Sequence, residues 1–282
     1  MKNSVVREDL YSLVFLSRLR ANDMGDSCFV VTRVNDEGEG YDSNLYLRRR
    51  SGDILQLTGF DSERSFTWSA DNRSVIFPSV RSSQERERQE RGERFTSFYQ
   101  ISIDGGEARK AFVIDRIVDD IRPLDESRYL LVVKDDLRYP DLTGLDDQAR
   151  SHALKAYKQE QAVDVIEQIP FWSNGESGSR RWRRRLCIFD LASGELTELS
   201  GDMEDVSELD IDRDSQRVLY TSRSYDSVMQ VDNQLWLRRL GDLTSASSAQ
   251  QSGSRERAPV RELTPHVGWR YESPRFLDGD SI

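Results

Sequence analysis

The chain has 282 residues, enough to bury one large core or two ordinary ones, and a hydrophobic content of 37% that is low yet above that of a disordered chain. Its formal net charge of −10 speaks against duplex binding, which needs clustered cations against phosphates. No stretch approaches the ~20 apolar residues of a membrane span, and no apolar segment behind a basic one marks a signal peptide, so the expected compartment is the cytoplasm.

Residues 8–16, Glu8-Asp9-Leu10-Tyr11-Ser12-Leu13-Val14-Phe15-Leu16, read as a short helix or as a strand leading into a first sheet. An inner strand is expected at 27–33 and another at 44–48. The turn Ser51-Gly52-Asp53 then reverses the chain into 54–58, and residues 35–43 form an acidic, Gly-containing exposed loop. A second set of strands follows at 66–69, 74–80, 96–103 and 108–113. Its charged middle segment, 84–94, reads as a solvated hairpin tip without chemistry.

A third set begins near Ile117-Val118, continues at 128–133 and is interrupted over 137–180. Helix formers dominate 146–163, and Val163-Asp164-Val165-Ile166 reads as a strand running into Ile169-Pro170-Phe171-Trp172. The set resumes at 186–191, turns at Ser193-Gly194-Glu195 and closes at 196–199. A fourth occupies 209–211, 217–223, 234–237 and 261–264, with a low-complexity tip at 245–254. A fifth starts at Trp269 and meets Ile282 where its second strand should begin, leaving an apolar face and an unpaired edge. The chain is therefore expected to be a piece of a longer protein, or to take its missing blades from elsewhere. Alone, it is expected to be marginally stable or to self-associate through that edge.

These sets repeat one module of roughly 45–65 residues, the length and content of a β-propeller blade. A turn bearing Asp or a substitute precedes a β-branched and aromatic strand, and a Gly turn closes a later hairpin. The clearest copy is Trp68-Ser69-Ala70-Asp71-Asn72-Arg73-Ser74-Val75-Ile76-Phe77 with Asp104-Gly105-Gly106 downstream. Others centre on Met24-Gly25-Asp26, Asp125-Glu126-Ser127, Asp214-Ser215-Gln216 and Asp278-Gly279-Asp280. The strand after the first turn is a continuous apolar run because it faces a neighbouring blade on each side. The predicted fold is an all-β propeller of about four blades plus the start of a fifth, an incomplete ring with one helical insertion. The expected blades are 10–60, 61–113, 114–200 with the insertion at 137–180, 201–265 and a partial 266–282.

Few residues offer chemistry. Cys28 and Cys187 sit in apolar strand patterns of different blades and read as buried thiols in a reducing compartment rather than a disulfide. Asp119-Asp120, Asp135-Asp136 and Asp146-Asp147 suggest cation or amine binding, but adjacent carboxylates on a strand point to opposite faces. Arg180-Arg181-Trp182-Arg183-Arg184-Arg185 reads as a solvated strand start or docking face before it reads as a nucleic-acid or lipid patch. Ser79-Val80-Arg81 and Ser222-Arg223 end equivalent strands. A rim salt bridge is the ordinary reading of the arginine, and a buried pair with a carboxylate of the next blade the other. Phe171-Trp172 reads as packing or docking, and as lining of a peptide passage second. Gly175-Glu176-Ser177-Gly178-Ser179 lacks the last glycine of a nucleophile elbow. His152, in the expected helix, and His266, in a loop, have no supporting triad motif. No catalytic, cofactor or metal residue is assigned, and no cofactor is expected.

The ordered segments DLYSLVFLSRLRANDMGDSCFVVTRVN, SNLYLRRRSGDILQLT, FTWSADNRSVIFPSVR, FYQISIDGGEARKAF and AYKQEQAVDVIEQIPFWSNG together resemble the N-terminal propeller of the prolyl oligopeptidase family, acylaminoacyl-peptidase branch. The resemblance covers essentially the whole chain. Met24 stands where that family usually has Asp, and Asn72 where it usually has Gly, though Asn tolerates the left-handed backbone. The resemblance implies a non-catalytic propeller that gates peptide access to a C-terminal α/β-hydrolase domain carrying Ser, Asp and His, a domain nothing here matches. The implied parent is a serine-type acylaminoacyl or oligopeptide peptidase whose partners are that domain and peptide substrates. No nucleic acid or membrane partner is expected, and a homo-oligomer is left open. The alternative is a stand-alone propeller acting as a protein-binding or assembly module.

Overall fold

The computed structural model describes residues 6–35, 37–162, 172–173, 176–177, 182–214, 216–224, 232–240, 260–264 and 268–277. The fold is all-β: four antiparallel four-stranded meanders, each a propeller blade. By internal contacts the chain divides into two compact units. The first comprises Met1–Glu87, Arg94–Asp115 and Asp120–Glu126; the second comprises Arg88–Glu93, Arg116–Asp119 and Ser127–Ile282.

In the first unit a 3-10 helix, Arg7–Ser12, is followed directly by strand β1, Val14–Ala21, so the opening is helix and strand in succession. Strands β2 (Ser27–Val34), β3 (Tyr41–Arg48) and β4 (Ile54–Gln56) complete the sheet in the order β1-β2-β3-β4. The inner strand expected at 27–33 is the second of the four. The lead-in was obscured because β1 has no alternation of apolar and polar residues. The loop is also shorter than expected, since β3 starts at Tyr41 and Ser43 is buried.

The second sheet holds β5 (Thr67–Trp68), β6 (Ser74–Pro78), β7 (Thr96–Ser102) and β8 (Arg109–Ile114). Cys28, Val30, Leu45 and Leu47 of the first sheet pack against Trp68, Val75, Phe77, Tyr99 and Ile101 of the second in one core. Within each strand these residues recur at period two, which puts them on one face. Val75, Ile76 and Phe77 are nonetheless all buried, matching a strand covered on both faces. The charged segment 84–94 is not merely a solvated tip. It contains helix α1 (Ser83–Glu90), whose Glu85 is buried.

The hairpin turns bear out the repeat. Gly52, Gly105, Gly106 and Gly194 all have positive φ, between 72° and 106°, in the turns from third to fourth strand. In three of the four turns from first to second strand the left-handed residue is Gly25 (φ 89°), Asn72 (φ 59°) or Gln216 (φ 49°), and the turn at Asp125-Glu126-Ser127 has none. Ser69 Oγ donates to Asp71 Oδ1 at 2.6 Å, and the same oxygen accepts the Arg73 N–H at 3.0 Å, fixing the turn. A left-handed residue with a β-branched side chain is strained, so Asn72→Val is expected to cost ~1–2 kcal/mol. Asn72→Gly is expected to be nearly neutral, and thermal denaturation of the two variants checks the contrast.

The two remaining sheets belong to the second unit, save residues 120–123, which belong to the first unit. One runs β14-β13-β10-β9, from β9 (Ile117–Pro123), β10 (Arg128–Asp136), β13 (Trp182–Asp190) and β14 (Leu196–Glu198). Between β10 and β13 lie helix α2 (Asp147–Glu160) and a short hairpin, β11 (Trp172–Ser173) with β12 (Glu176–Ser177). The helix begins where Asp146 caps it by accepting the Ala149 N–H at 2.8 Å. Tyr157 anchors it to the sheet, donating to Asp136 at 2.6 Å and meeting Tyr139 edge-on. The strand expected at 163–166 and the tip at 245–254 lie outside the described residues.

The other sheet comprises β15 (Glu204–Asp212), β16 (Arg217–Ser224), β17 (Gln234–Arg239) and β18 (Val260–Glu262). Residues 268–277, where a fifth blade was expected to start, carry no strand. They are held by a reciprocal pair between Asn233 and Tyr271 and by the Phe276 N–H on Asp210 at 2.9 Å. The turn expected at Asp278-Gly279-Asp280 lies outside the described residues. No described helix is long and apolar enough to cross a membrane.

Candidate functional site

Among the described residues no group of three or more His, Cys, Asp or Glu side chains is placed to hold a metal. His152 is exposed on helix α2, while His266, Gly175, Gly178, Ser179 and Phe171 lie outside the described residues. Cys28 and Cys187 are free, buried thiols, each pushed up to about 12 by burial and therefore inert at neutral pH.

The acidic pairs have structural tasks. Asp135 and Asp136 diverge as neighbours on a strand must. Asp136 takes Tyr157 and the Arg138 N–H, while Asp135 lies 3.6 Å from Arg116. Asp146 is a helix cap. Asp120 is the exception, because it faces arginines rather than a vacant cation site.

The described part of the arginine run is matched by carboxylates. Arg184 forms a two-pronged pair with Asp205, whose Oδ1 also accepts the Arg184 N–H. Arg185 lies on Glu198 and Asp202, with Asp135 at 3.9 Å, and these charges outweigh burial to hold its guanidinium pKa above the ordinary value. Arg183 is buried, and Lys134 lies 4.9 Å over the Trp182 ring. Paired in this way, Arg184 and Arg185 tie β13 to its neighbours instead of facing an anionic polymer.

Two arginine-centred arrangements stand out in the first unit. Arg81 departs from both readings of the Ser-x-Arg pattern: it is half-buried, and its carboxylate partner is fully buried but belongs to the same expected blade, 61–113, rather than to the next one. Its Nη2 meets Oε1 of fully buried Glu63 at 2.9 Å, and its Cζ lies 4.7, 5.2 and 5.1 Å from the rings of Phe60, Phe77 and Tyr99. Glu63 belongs to the connection that precedes β5. The arrangement is a structural clasp.

The second arrangement is partly open to solvent. Arg20 reaches Asp120 Oδ1 at 3.2 Å, and Arg122 reaches Asp120 Oδ2 at 3.0 Å. The Arg20 Nη1 also donates to the Phe66 carbonyl, while the Arg20 carbonyl accepts the Trp68 indole N–H, both at 3.1 Å. Desolvation, then the charge of Arg122 and more weakly that of Arg18, push the Arg20 guanidinium down despite Asp120. Two cations thus share one carboxylate, and the charge of a third, Arg18, is felt at Arg20. Such a group attracts a second anion.

No protein-family model and no curated protein matches the chain. Solved structures do match it. The acylaminoacyl peptidase of Pyrococcus horikoshii aligns with a TM-score of 0.53 at 12% identity, over 91% of this chain and 33% of that one. Its uncomplexed form gives 0.54 at 11% identity over 90% and 33%. An acylaminoacyl peptidase in complex with Z-Gly-Gly-Phe-chloromethyl ketone gives 0.54 at 11% over 91% and 33%. The chain shares their fold. At this identity the likeness is one of fold alone, and the chain spans about a third of the length of the solved chains it matches.

The cluster around Asp120 escaped sequence reasoning because Arg20 and Asp120 stand 100 positions apart. The pair Asp119-Asp120 suggests cation or amine binding in the sequence, and alternation on a strand speaks against both carboxylates sharing one ligand. The local signal was Arg18-Leu19-Arg20, two cations at period two on an otherwise apolar strand.

Proposed function

We propose that this chain is the N-terminal propeller region of a serine-type peptidase of the acylaminoacyl or oligopeptide class, with the hydrolase chemistry supplied by an α/β-hydrolase domain elsewhere in a longer polypeptide. The observation that carries this reading is the fold match over about nine-tenths of this chain and one-third of each acylaminoacyl peptidase chain. The ordered blade motifs and the helical insertion support it. On this reading the propeller performs no bond-breaking step. It restricts which peptides reach the serine and docks the catalytic domain, and the protein works in the cytoplasm, in keeping with its two buried free thiols.

The test is hydrolysis of N-acylated and free short peptides by the polypeptide encoded when the reading frame is followed past Ile282, beside the 282-residue chain. The longer protein is expected to hydrolyse peptides and to react with a serine-directed fluorophosphonate, and the 282-residue chain to do neither. A longer product with no Gly-x-Ser-x-Gly segment and no turnover overturns the reading, as does turnover by the 282-residue chain alone.

A further inference from the structure

Strand β1 lies at the edge of its sheet, in the order β1-β2-β3-β4, so one side of its backbone has no strand beside it among the described residues. Its apolar side chains, Val14, Phe15, Leu16 and Leu19, are open to solvent. Leu16 stands opposite Val31 and Phe15 opposite Thr32, which sends them to opposite sides of the sheet, yet Phe15 is 49% exposed and Leu16 68%. Bare edges are usually blunted by charge, proline or a covering segment, and bare apolar surface of this extent marks an interaction site.

The strand also ends in an irregularity that aims charge at the same edge. The register with β2 shifts between Ser17 and Arg20, so Arg18 and Leu19 stand against a single residue of β2. Within this bulge Arg18 adopts φ 57°, which costs an arginine strain. Bulges re-aim side chains, and strained residues gather where a backbone serves a ligand. Arg18 is exposed, and no described carboxylate pairs with it. Beside it stand Arg20 and Arg122 on Asp120, with Arg20 fixed from behind by Phe66 and Trp68. A local excess of cations in a chain of net charge −10 selects for an anionic group.

We propose that β1 is a peptide-binding edge. An extended apolar peptide pairs with its free side, and the peptide's terminal carboxylate is received by Arg18 and the Arg20–Arg122 pair. The pairing is strand addition, in which backbone hydrogen bonds give affinity and side-chain contacts give selectivity. This inference rests on the peptidase reading above and deepens it by naming the preferred chemistry, short apolar peptides with a free carboxy end. Capture of that end leaves the amino end free to reach a catalytic module.

The test is fluorescence anisotropy of the 282-residue chain with a five-residue apolar peptide labelled at its amino end, as free acid and as amide. The acid is expected to bind at least tenfold more tightly at low salt, with the gap closing in 0.5 M NaCl. In Arg18→Gln the acid and amide are expected to agree within twofold, and in Arg122→Gln the gap shrinks. Arg18→Gly, which suits the left-handed backbone, is expected to lose the preference without a lower melting temperature. Equal binding of acid and amide, no binding of either, or a preference that survives Arg18→Gln overturns the site. So does light scattering that shows a dimer whose formation displaces the peptide, since a second copy then occupies the edge. The peptidase reading answers separately to the hydrolysis test. A carboxylate preference in a protein that cleaves nothing would keep the site and remove that reading.

Discussion

Replacing Arg81 by methionine is expected to destabilise the first unit by about 3–5 kcal/mol, a fall in Tm on the order of 10 °C, because it strands the Glu63 carboxylate. Glu63 has no exposed surface, and its Oε2 has no hydrogen-bond partner among the described residues. Its charge therefore depends on the single 2.9 Å contact with Arg81. The guanidinium is better placed to survive alone, being partly exposed, stacked among Phe60, Phe77 and Tyr99, and bonded to Ser79 Oγ at 3.2 Å. Glu63→Gln is accordingly expected to cost less, about 1–2 kcal/mol. The double variant Arg81→Met with Glu63→Leu is expected to recover most of the loss, since apolar residues of similar volume replace a buried pair without stranding a charge. Urea denaturation of the four proteins gives the coupling. A loss below ~1 kcal/mol in Arg81→Met, with no recovery in the double variant, would mean that the Arg81–Glu63 contact does not hold this part of the first unit together.

What the sequence made legible follows from which forces are local. A turn that needs φ > 0 must place Gly or Asn there, so Gly52, Gly105, Gly194 and Asn72 mark their hairpins without any knowledge of neighbours. Runs such as Leu130 to Val133 announce strands covered on both faces. Strand β1 was legible only at its start, as one of two readings of residues 8–16, because a bulge breaks its period and its apolar residues remain exposed. The charged groups were least legible of all. Whether Glu85, Arg184 or Asp120 is solvated depends on partners brought in by topology: Tyr99 and Lys110, Asp205, and Arg20 and Arg122. Composition identifies 84–94 and 180–185 as charged, and only the register of distant strands determines which charges are matched.

Glu85 yields the second large effect, one that depends on pH. Burial by itself pushes its carboxyl up. Lys110 at 2.8 Å on Oε1, with the Ser82 and Arg81 N–H groups at 3.1 and 2.9 Å on Oε2, outweighs burial and holds it below the usual carboxylate range. Burial first, and then its hydrogen bond to Glu85, push the Tyr99 phenol up to about 12, so it remains a donor across the neutral range. A carboxyl whose folded pKa lies below its unfolded one contributes stability that is complete above the unfolded value. That contribution is lost as pH falls through the ordinary carboxylate range toward the folded pKa. The first unit is therefore expected to keep this contribution from neutral pH to about pH 5 and to shed it below. Glu85→Gln is expected to lose about 2–3 kcal/mol at pH 7, because an amide turns an NH2 toward donors that need acceptors. The gap between wild type and variant is expected to narrow steadily as the pH is lowered to 3. Tyr99→Phe, which removes one donor and leaves the carboxylate charged, is expected to cost only about 1–2 kcal/mol and to retain the acid dependence. A Glu85→Gln penalty that is the same at pH 7 and pH 3 would show that Glu85 acts through its shape and hydrogen bonds rather than its charge.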